Sequence, residues 1–279
     1  MEPAIPDEQA ALLTAIVAEP DDDAPRLVYA DWLQEHGDEE QAQFIRDWIK
    51  FANDLDEDQE LAWQLKSVAE RKAYDWLTAI GVTGFPLIPS GGWGHSYDCG
   101  MPDRLCYERV DQFIENAPTL FTRVPVRTVW IEDISPSDGE WLSVMADLPG
   151  LLQLRELDLE SRRTFGRPEG FARLITSRYM ANLEVLRVSN AALTDDDVQA
   201  FNEAKHLGNL ESLALSHNQL TAVGALAIVR SRWLPRLQRL ALGQNPIAED
   251  WSTGSVYRDL VSVLQSRFGD TNALQFTYC

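Results

Sequence analysis

A pattern of leucines recurs along the second half of the sequence and constrains the fold more than any other feature. Residues 210–220 read LESLALSHNQL and residues 237–247 read LQRLALGQNPI, so both follow the pattern LxxLxLxxNxL with isoleucine accepted in the last position. Looser copies start at Val126, Leu154 and Leu183, which makes the five starts 28, 29, 27 and 27 residues apart. A nearly fixed period of this length indicates a row of stacked structural repeats.

These copies resemble leucine-rich repeats, and the resemblance covers about residues 124–268. Their length is similar to that of the ribonuclease-inhibitor class, which implies an α/β solenoid with a parallel inner sheet and outer helices. Asn218 and Asn245 are expected to bond backbone groups in the turns, and Thr194 and Thr221 are suitable helix caps. The predicted helices occupy residues 138–147, 168–180, 195–206 and 221–232.

The N-terminal part of the chain predicts a small all-α module that precedes the repeats. Apolar residues at helical spacing indicate a first helix over residues 7–18. An aspartate ahead of Pro25 can cap a second helix that runs to about His36, where Gly37 ends it. Asp38 is expected to cap a third helix. A long helix is predicted from about Gln59 to Ile80.

A distinctive string in this module resembles a known bacterial family. Residues 20–33, PDDDAPRLVYADWL, together with residues 44–46, FIR, are similar to the repeat-companion domain, a short module found N-terminal to leucine-rich and other repeats. The resemblance implies a helical module joined to a repeat array, and it carries no catalytic residues. Arg26, Asp31 and Trp32 could suggest a site, but aromatic packing with local caps or ion pairs is the favoured interpretation.

The domain organisation that follows has four parts. A repeat-companion-like module over residues 1–80 precedes an irregular loop with a short strand and a helix over 81–123. The repeat array occupies 124–268, and 269–279 are expected to form a C-terminal cap over the open end of the solenoid.

The irregular segment is the only stretch whose residue types suggest metal or enzyme chemistry. His95, Cys99 and Cys106 are three soft ligands, but their spacing has no CxxC knuckle, and a fourth ligand is not evident. A Cys–His nucleophile pair lacks an identifiable orienting group. A metal or enzymatic site over 81–106 is therefore the less favoured hypothesis, and no catalytic residue, cofactor or metal is expected.

Composition and charge narrow the classes of partner and compartment. The net charge is −20, and residues 1–60 contain 18 acidic and only 3 basic side chains. This balance disfavours direct binding to nucleic acid, and the acidic segment is either a solvated helix surface or a docking surface for a basic partner. No apolar run reaches the length of a membrane span. Three cysteines favour the reducing cytoplasm.

The predicted function is protein–protein interaction through the concave face of the sheet, without enzymatic activity. The side chains expected there are the residues between the leucines, and Trp130 is the strongest anchor candidate because tryptophan is enriched at interfaces. The alternative is an obligate regulatory subunit of a larger bacterial complex. The predicted partner-binding residues are Thr128, Trp130, Glu132, Asp158, Glu160, Arg187, Ser189, Ser212, Ser216, His217 and Arg239.

Overall fold

The computed structural model is organised as two compact units. One comprises residues 1–107 with 115–128, and the other comprises 108–114 with 129–279. The residues that the structure describes are 5–53, 65, 69, 72–82, 97–98, 100–134, 141–161, 169–247 and 254–268.

The first unit begins with three helices, which confirms the prediction for this part of the chain. They are α1 (Asp7–Ala18), α2 (Asp23–Glu35) and α3 (Glu39–Asn53). The side chain of Asp22 accepts the Ala24 N–H at 2.9 Å, and that of Asp38 accepts the Gln41 N–H at 3.1 Å. Both aspartates therefore cap helix N-termini as their positions predict.

The helices pack around a core in which apolar side chains dominate. Tyr29, Ile45 and Leu77 have no exposed surface. Arg26 is also buried, and its guanidinium donates to the carbonyls of Pro20 at 2.6 Å and Asp22 at 3.0 Å. These contacts give Arg26 a structural role in the connection between α1 and α2, since a buried guanidinium is stable only where its donors are used.

The remainder of the first unit is a mixture of short elements. Residues 65, 69 and 72–79 are helical (α4), and β1 (Tyr97–Asp98) pairs antiparallel with β2 (Met101–Pro102). Between these strands Gly100 has φ +81°, and a Cβ there would lie 2.7 Å from the Ile45 Cα. β3 (Arg104–Tyr107) then leads into α5 (Val110–Arg123), as the apolar pattern of this stretch predicts, and residues 115–123 of this helix belong to the first unit.

The second unit is built on a sheet whose strands follow the order of the chain. The strands are β4 (Thr128–Ile131), β5 (Glu156–Glu160), β6 (Val185–Ser189), β7 (Ser212–Ala214) and β8 (Arg239–Ala241). The pairs from β5 to β8 are parallel. Leu157, Leu186, Leu213 and Leu240 lie side by side in this register, which matches the repeat starts.

Helical segments alternate with these strands, but most are shorter than predicted. They are α6 (Trp141–Met145), α7 (Phe171–Thr176), α8 (Asp195–Val198), α9 (Ala222–Arg230) and α10 (Gly254–Phe268), with 3₁₀ turns at Pro149–Gln153, Arg178–Met180 and Gln199–Asn202. The prediction of a full helix in every repeat is therefore wrong. The chain leaves helical geometry at Ser177, whose backbone is extended, and tightens to 3₁₀ geometry after α8.

The repeated asparagines hold the turns after the strands, as their position in the pattern predicts. The Asn218 amide oxygen accepts from the Ala191 and Leu193 N–H groups at 3.0 and 3.1 Å, and its nitrogen donates to the Val188 carbonyl at 2.8 Å. Asn245 repeats this arrangement one unit later and accepts the Leu220 N–H at 2.9 Å. These side chains replace backbone hydrogen bonds that the turn leaves unmade.

Several predictions concern segments outside the described residues. They include most of the irregular loop with His95 and Cys99, and the whole C-terminal stretch 269–279. Among the helices that the structure does describe, none combines the length and hydropathy of a membrane span.

Candidate functional site

The candidate site is the side of the second unit's sheet that faces away from the leucine core. In β5 and β6 the residues alternate between half-buried and buried, so Glu156, Asp158 and Glu160 point away from buried Leu157 and Leu159. We call this side the sheet surface. Its members are Trp130, Glu132, Glu156, Asp158, Glu160, Val185, Arg187, Ser189, Ser212, Ala214, Ser216, Arg239 and Ala241.

Ion pairs between β5 and β6 lie on the sheet surface. Arg187 lies directly opposite Asp158 in the parallel register, and the two side chains approach to 3.8 Å. The same Arg187 Nη1 donates to the Glu156 carboxylate within hydrogen-bond distance. Arg187 retains 34% of its side-chain exposure and Asp158 retains 28%. The ion pairs therefore hold these side chains in place, and the side chains remain accessible to a partner.

The two halves of the sheet surface differ in side-chain size and charge. β5 supplies three carboxylates, whereas β7 and β8 supply Ser212, Ala214 and Ala241 around the exposed Arg239. Small side chains leave the backbone open to close approach. The side chains of the sheet surface are thus large and acidic on β5, and they are mostly small and uncharged on β7 and β8.

A turn residue with left-handed backbone geometry borders the end of each later strand. Asn190, His217 and Gln244 have φ of 55°, 56° and 57°, and they occupy equivalent repeat positions. His217 and Gln244 are exposed at this rim. Asn190 donates its side-chain N–H to the Ser161 carbonyl. The repeat pattern does not predict this contact, because Ala191 occupies the asparagine position of this repeat.

Thr128 and Trp130, two of the residues predicted to bind a partner at the start of the array, differ in accessibility. Trp130 in β4 is half-buried, between buried Val129 and Ile131. Thr128 in the same strand is only 8% exposed and offers little area to a partner. The structure brings Asp158, Arg187 and the β7 residues together through strand register.

One contact of the sheet surface joins a residue that was not predicted to bind a partner. Glu156 is not among the predicted partner-binding residues, although it binds Arg187 from the adjacent strand. Matching repeat positions predict Asp158 opposite Arg187, whereas Glu156 lies opposite Val185 and reaches Arg187 diagonally across the two strands. A search for opposite charges at diagonal positions of successive repeats would have found it.

Of the three soft ligands in the metal hypothesis, Cys106 lies within the described residues, whereas His95 and Cys99 lie outside them. No group of three His, Cys, Asp or Glu side chains within the described part of the chain is placed to hold a metal ion. Cys106 is buried in the first unit. Burial also raises the pKa of the Tyr107 hydroxyl, so this phenol remains protonated at neutral pH.

Comparison with known proteins agrees with the repeat pattern. Residues 206–229 match the family model described as Leucine Rich repeat. The matched segment contains β7, the Asn218 turn and most of α9, so it supports a leucine-rich-repeat protein. A search of curated proteins finds none that matches this chain.

Proposed function

We propose that this chain is a non-enzymatic protein-interaction module that binds a partner protein on its sheet surface. The repeat array is proposed to be a solenoid of the ribonuclease-inhibitor class, with the sheet surface as its concave face. Leucine-rich repeats typically serve in protein binding, and the match at 206–229 supports that class. The observation that carries the proposal is the half-buried row of polar and charged side chains centred on Arg187.

The charge of the sheet surface indicates the chemistry of the partner. Glu132, Glu156, Asp158 and Glu160 outnumber the single guanidinium of Arg187 over β4 to β6. A partner segment with basic side chains would gain opposite-charge contacts there, and half-buried Trp130 would add an apolar anchor. Binding should then weaken as ionic strength rises, because rim charges are screened by salt.

The proposed role of the N-terminal helices follows from the string over residues 20–33. We propose that α1 to α3 form a repeat-companion module of a bacterial, cytoplasmic protein. The three helices with caps at Asp22 and Asp38 agree with the helical module that the resemblance implies. The small, odd number of cysteines in the sequence supports a reducing compartment.

The test is affinity capture from a bacterial lysate with matched surface variants. Trp130→Ala combined with Glu160→Lys changes the sheet surface, whereas Tyr257→Ala combined with Asp259→Lys makes similar changes on exposed positions of α10. The proposal expects specific proteins to be captured by wild type and by the α10 variant, and to be lost with the sheet variant. Equal recovery with both variants would remove the sheet surface as the binding site.

A further inference from the structure

A repeated pair of a cation and a ring lies just ahead of three successive strands. Arg178–Tyr179, Lys205–His206 and Arg232–Trp233 each stand five and four residues before a repeat start, and they are 27 residues apart. The Arg178 guanidinium lies 4.8 Å from the Tyr179 ring centroid, and that of Arg232 lies 4.5 Å from the Trp233 centroid. Each pair thus places an arginine or lysine at the same repeat position, in a chain whose net charge is −20.

The first of these pairs is held in place by a turn geometry that recurs at the third. The Ser177 hydroxyl accepts the Tyr179 N–H at 3.2 Å and donates to the Ala146 carbonyl of the preceding repeat at 2.5 Å. Ser231 makes the same two contacts, to the Trp233 N–H and the Phe201 carbonyl. The serine thus fixes the backbone from which each of these two cations extends.

The first pair opens onto a sizeable cleft of the second unit. The cleft has a volume of about 540 Å³ and is lined by Asp147, Arg173, Arg178, Tyr179 and His206, with Ser177 among its other residues. This volume lies within the range of roughly 300–1,000 Å³ that small-molecule sites occupy. Arg173, Arg178 and His206 are exposed along it, so the cleft is an open groove that a charged group reaches from solvent.

The two guanidinium groups of the cleft have different partners. Arg173 donates to the Asp147 carboxylate at 2.6 Å, so much of its charge is already compensated. Arg178 Nη2 bonds instead to the neutral Tyr179 hydroxyl at 2.7 Å. A guanidinium has five N–H donors arranged to match the oxygens of a phosphate or carboxylate. Arg178 therefore has donors and net charge to offer to a ligand.

We propose that this cleft binds an oxyanion, either a phosphate or a carboxylate group of a small ligand. Arg178 supplies the principal charge-assisted hydrogen bonds, and its packing on the Tyr179 ring holds the guanidinium in place. The His206 ring from the next repeat is a further hydrogen-bonding group on the cleft wall. Asp147 opposes binding because its carboxylate competes for Arg173.

The test is an NMR titration of the ¹⁵N-labelled full chain at constant ionic strength. Sodium phosphate and sodium acetate are added separately, with sodium chloride as reference, and the backbone amides of Arg178, Tyr179 and His206 are followed. Saturable shifts with phosphate, acetate or both support the site, and the responding anion identifies the source of the oxyanion. Shifts that do not saturate, or that chloride reproduces, overturn the proposal.

Variants separate this site from general charge effects. Arg178→Gln should weaken anion affinity about tenfold, since it removes charge-assisted hydrogen bonds. Asp147→Asn should strengthen it about threefold or more, because Arg173 is released. Arg232→Gln is the matched control, with the same ring packing outside the cleft, and should change affinity by less than about twofold. Unchanged affinity in Arg178→Gln, with circular dichroism like wild type, overturns the proposal.

Discussion

The carboxylate of Asp195 binds both the backbone and the side chain of Thr221, which lies 26 residues later in the chain. One oxygen accepts the Thr221 N–H at 2.9 Å and the other accepts its hydroxyl at 2.5 Å. Thr221 is itself the cap of α9 and accepts the Val223 N–H. The start of α8 is thereby bonded to the start of α9, and one repeat stabilises the helix cap of the next.

Replacing Asp195 should therefore destabilise the second unit. Asp195→Ala removes two charge-assisted hydrogen bonds and is expected to lower the free energy of unfolding by about 2 kcal/mol. Asp196 is in the same helical turn, so Asp196→Ala is the matched control for the loss of a first-turn charge. Urea denaturation followed by circular dichroism measures both values. Equal losses in the two variants would contradict the bridging role.

The asparagine of the best-formed repeat should contribute more to stability than its later copy. Asn218 is 6% exposed and bonds two N–H groups and a carbonyl of the preceding repeat, whereas Asn245 is only part-buried. Asn218→Ala is expected to cost about 3 kcal/mol, because several buried backbone groups lose their partner. Asn245→Ala should cost less, about 1–2 kcal/mol.

Asn202 is the control for the Asn218 and Asn245 variants, and it lies in the same unit. Asn202 is exposed and its side chain donates to that of Gln199, so Asn202→Ala should change stability by no more than about 0.5 kcal/mol. Thermal unfolding of the three variants gives the ranking directly. A loss for Asn218→Ala that is no larger than that for Asn202→Ala would refute the structural role.

Two glycines with similar positive φ angles allow the cost of backbone strain to be separated from the cost of a steric clash. Gly37 has φ +91° with open space where a Cβ would lie, whereas Gly100 has φ +81° and its Cβ would lie 2.7 Å from the Ile45 Cα. Gly37→Ala should cost about 1 kcal/mol, which reflects the backbone strain alone. Gly100→Ala should cost at least about 1 kcal/mol more, since backbone must move to admit the methyl group. Chemical denaturation of both variants measures the difference.

The accuracy of prediction from the sequence differs between features for physical reasons. The helices at Asp7–Ala18 and Asp23–Glu35 follow from local caps and apolar spacing, and the Asn218 contacts follow from repeat position. The length of α8 was not predictable, because the change to 3₁₀ geometry after Val198 depends on tertiary packing of the repeat. Local propensity is overridden by such packing.

Contacts between repeats were predictable only where they repeat with the period of the array. The Arg187–Glu156 contact joins residues 31 positions apart, so neither residue signals it alone. The cleft around Arg178 likewise assembles groups from three successive repeats, and only the 27-residue spacing of cation–ring pairs points to it. Sequence alone identifies the repeat position of such a side chain, and the exact strand register then determines its neighbour.

The buried hydroxyl of Tyr29 should make the first unit sensitive to alkaline pH. Burial raises the pKa of Tyr29, and the hydrogen bonds from Gln9 at 3.1 Å and Trp76 at 3.2 Å only partly oppose this shift. The folded state therefore holds the phenolic proton more tightly than the unfolded state. The stability that this proton contributes is complete below about pH 10, and it is lost as the pH rises through the raised pKa.

Tyr29→Phe removes this titration and should change the pH dependence in a defined direction. At about pH 7 the variant is expected to be about 1–2 kcal/mol less stable, because the Trp76 and Gln9 donors lose their acceptor. Above about pH 10, as the pH rises towards the raised pKa of Tyr29, its free energy of unfolding should decrease less steeply than that of wild type, by up to about 1.4 kcal/mol per pH unit. Tyr74→Phe, at a position that is 50% exposed, is the matched control and should keep the wild-type slope. Urea unfolding at each pH measures the slopes, and parallel curves for Tyr29→Phe and wild type would show that the phenol does not titrate with unfolding.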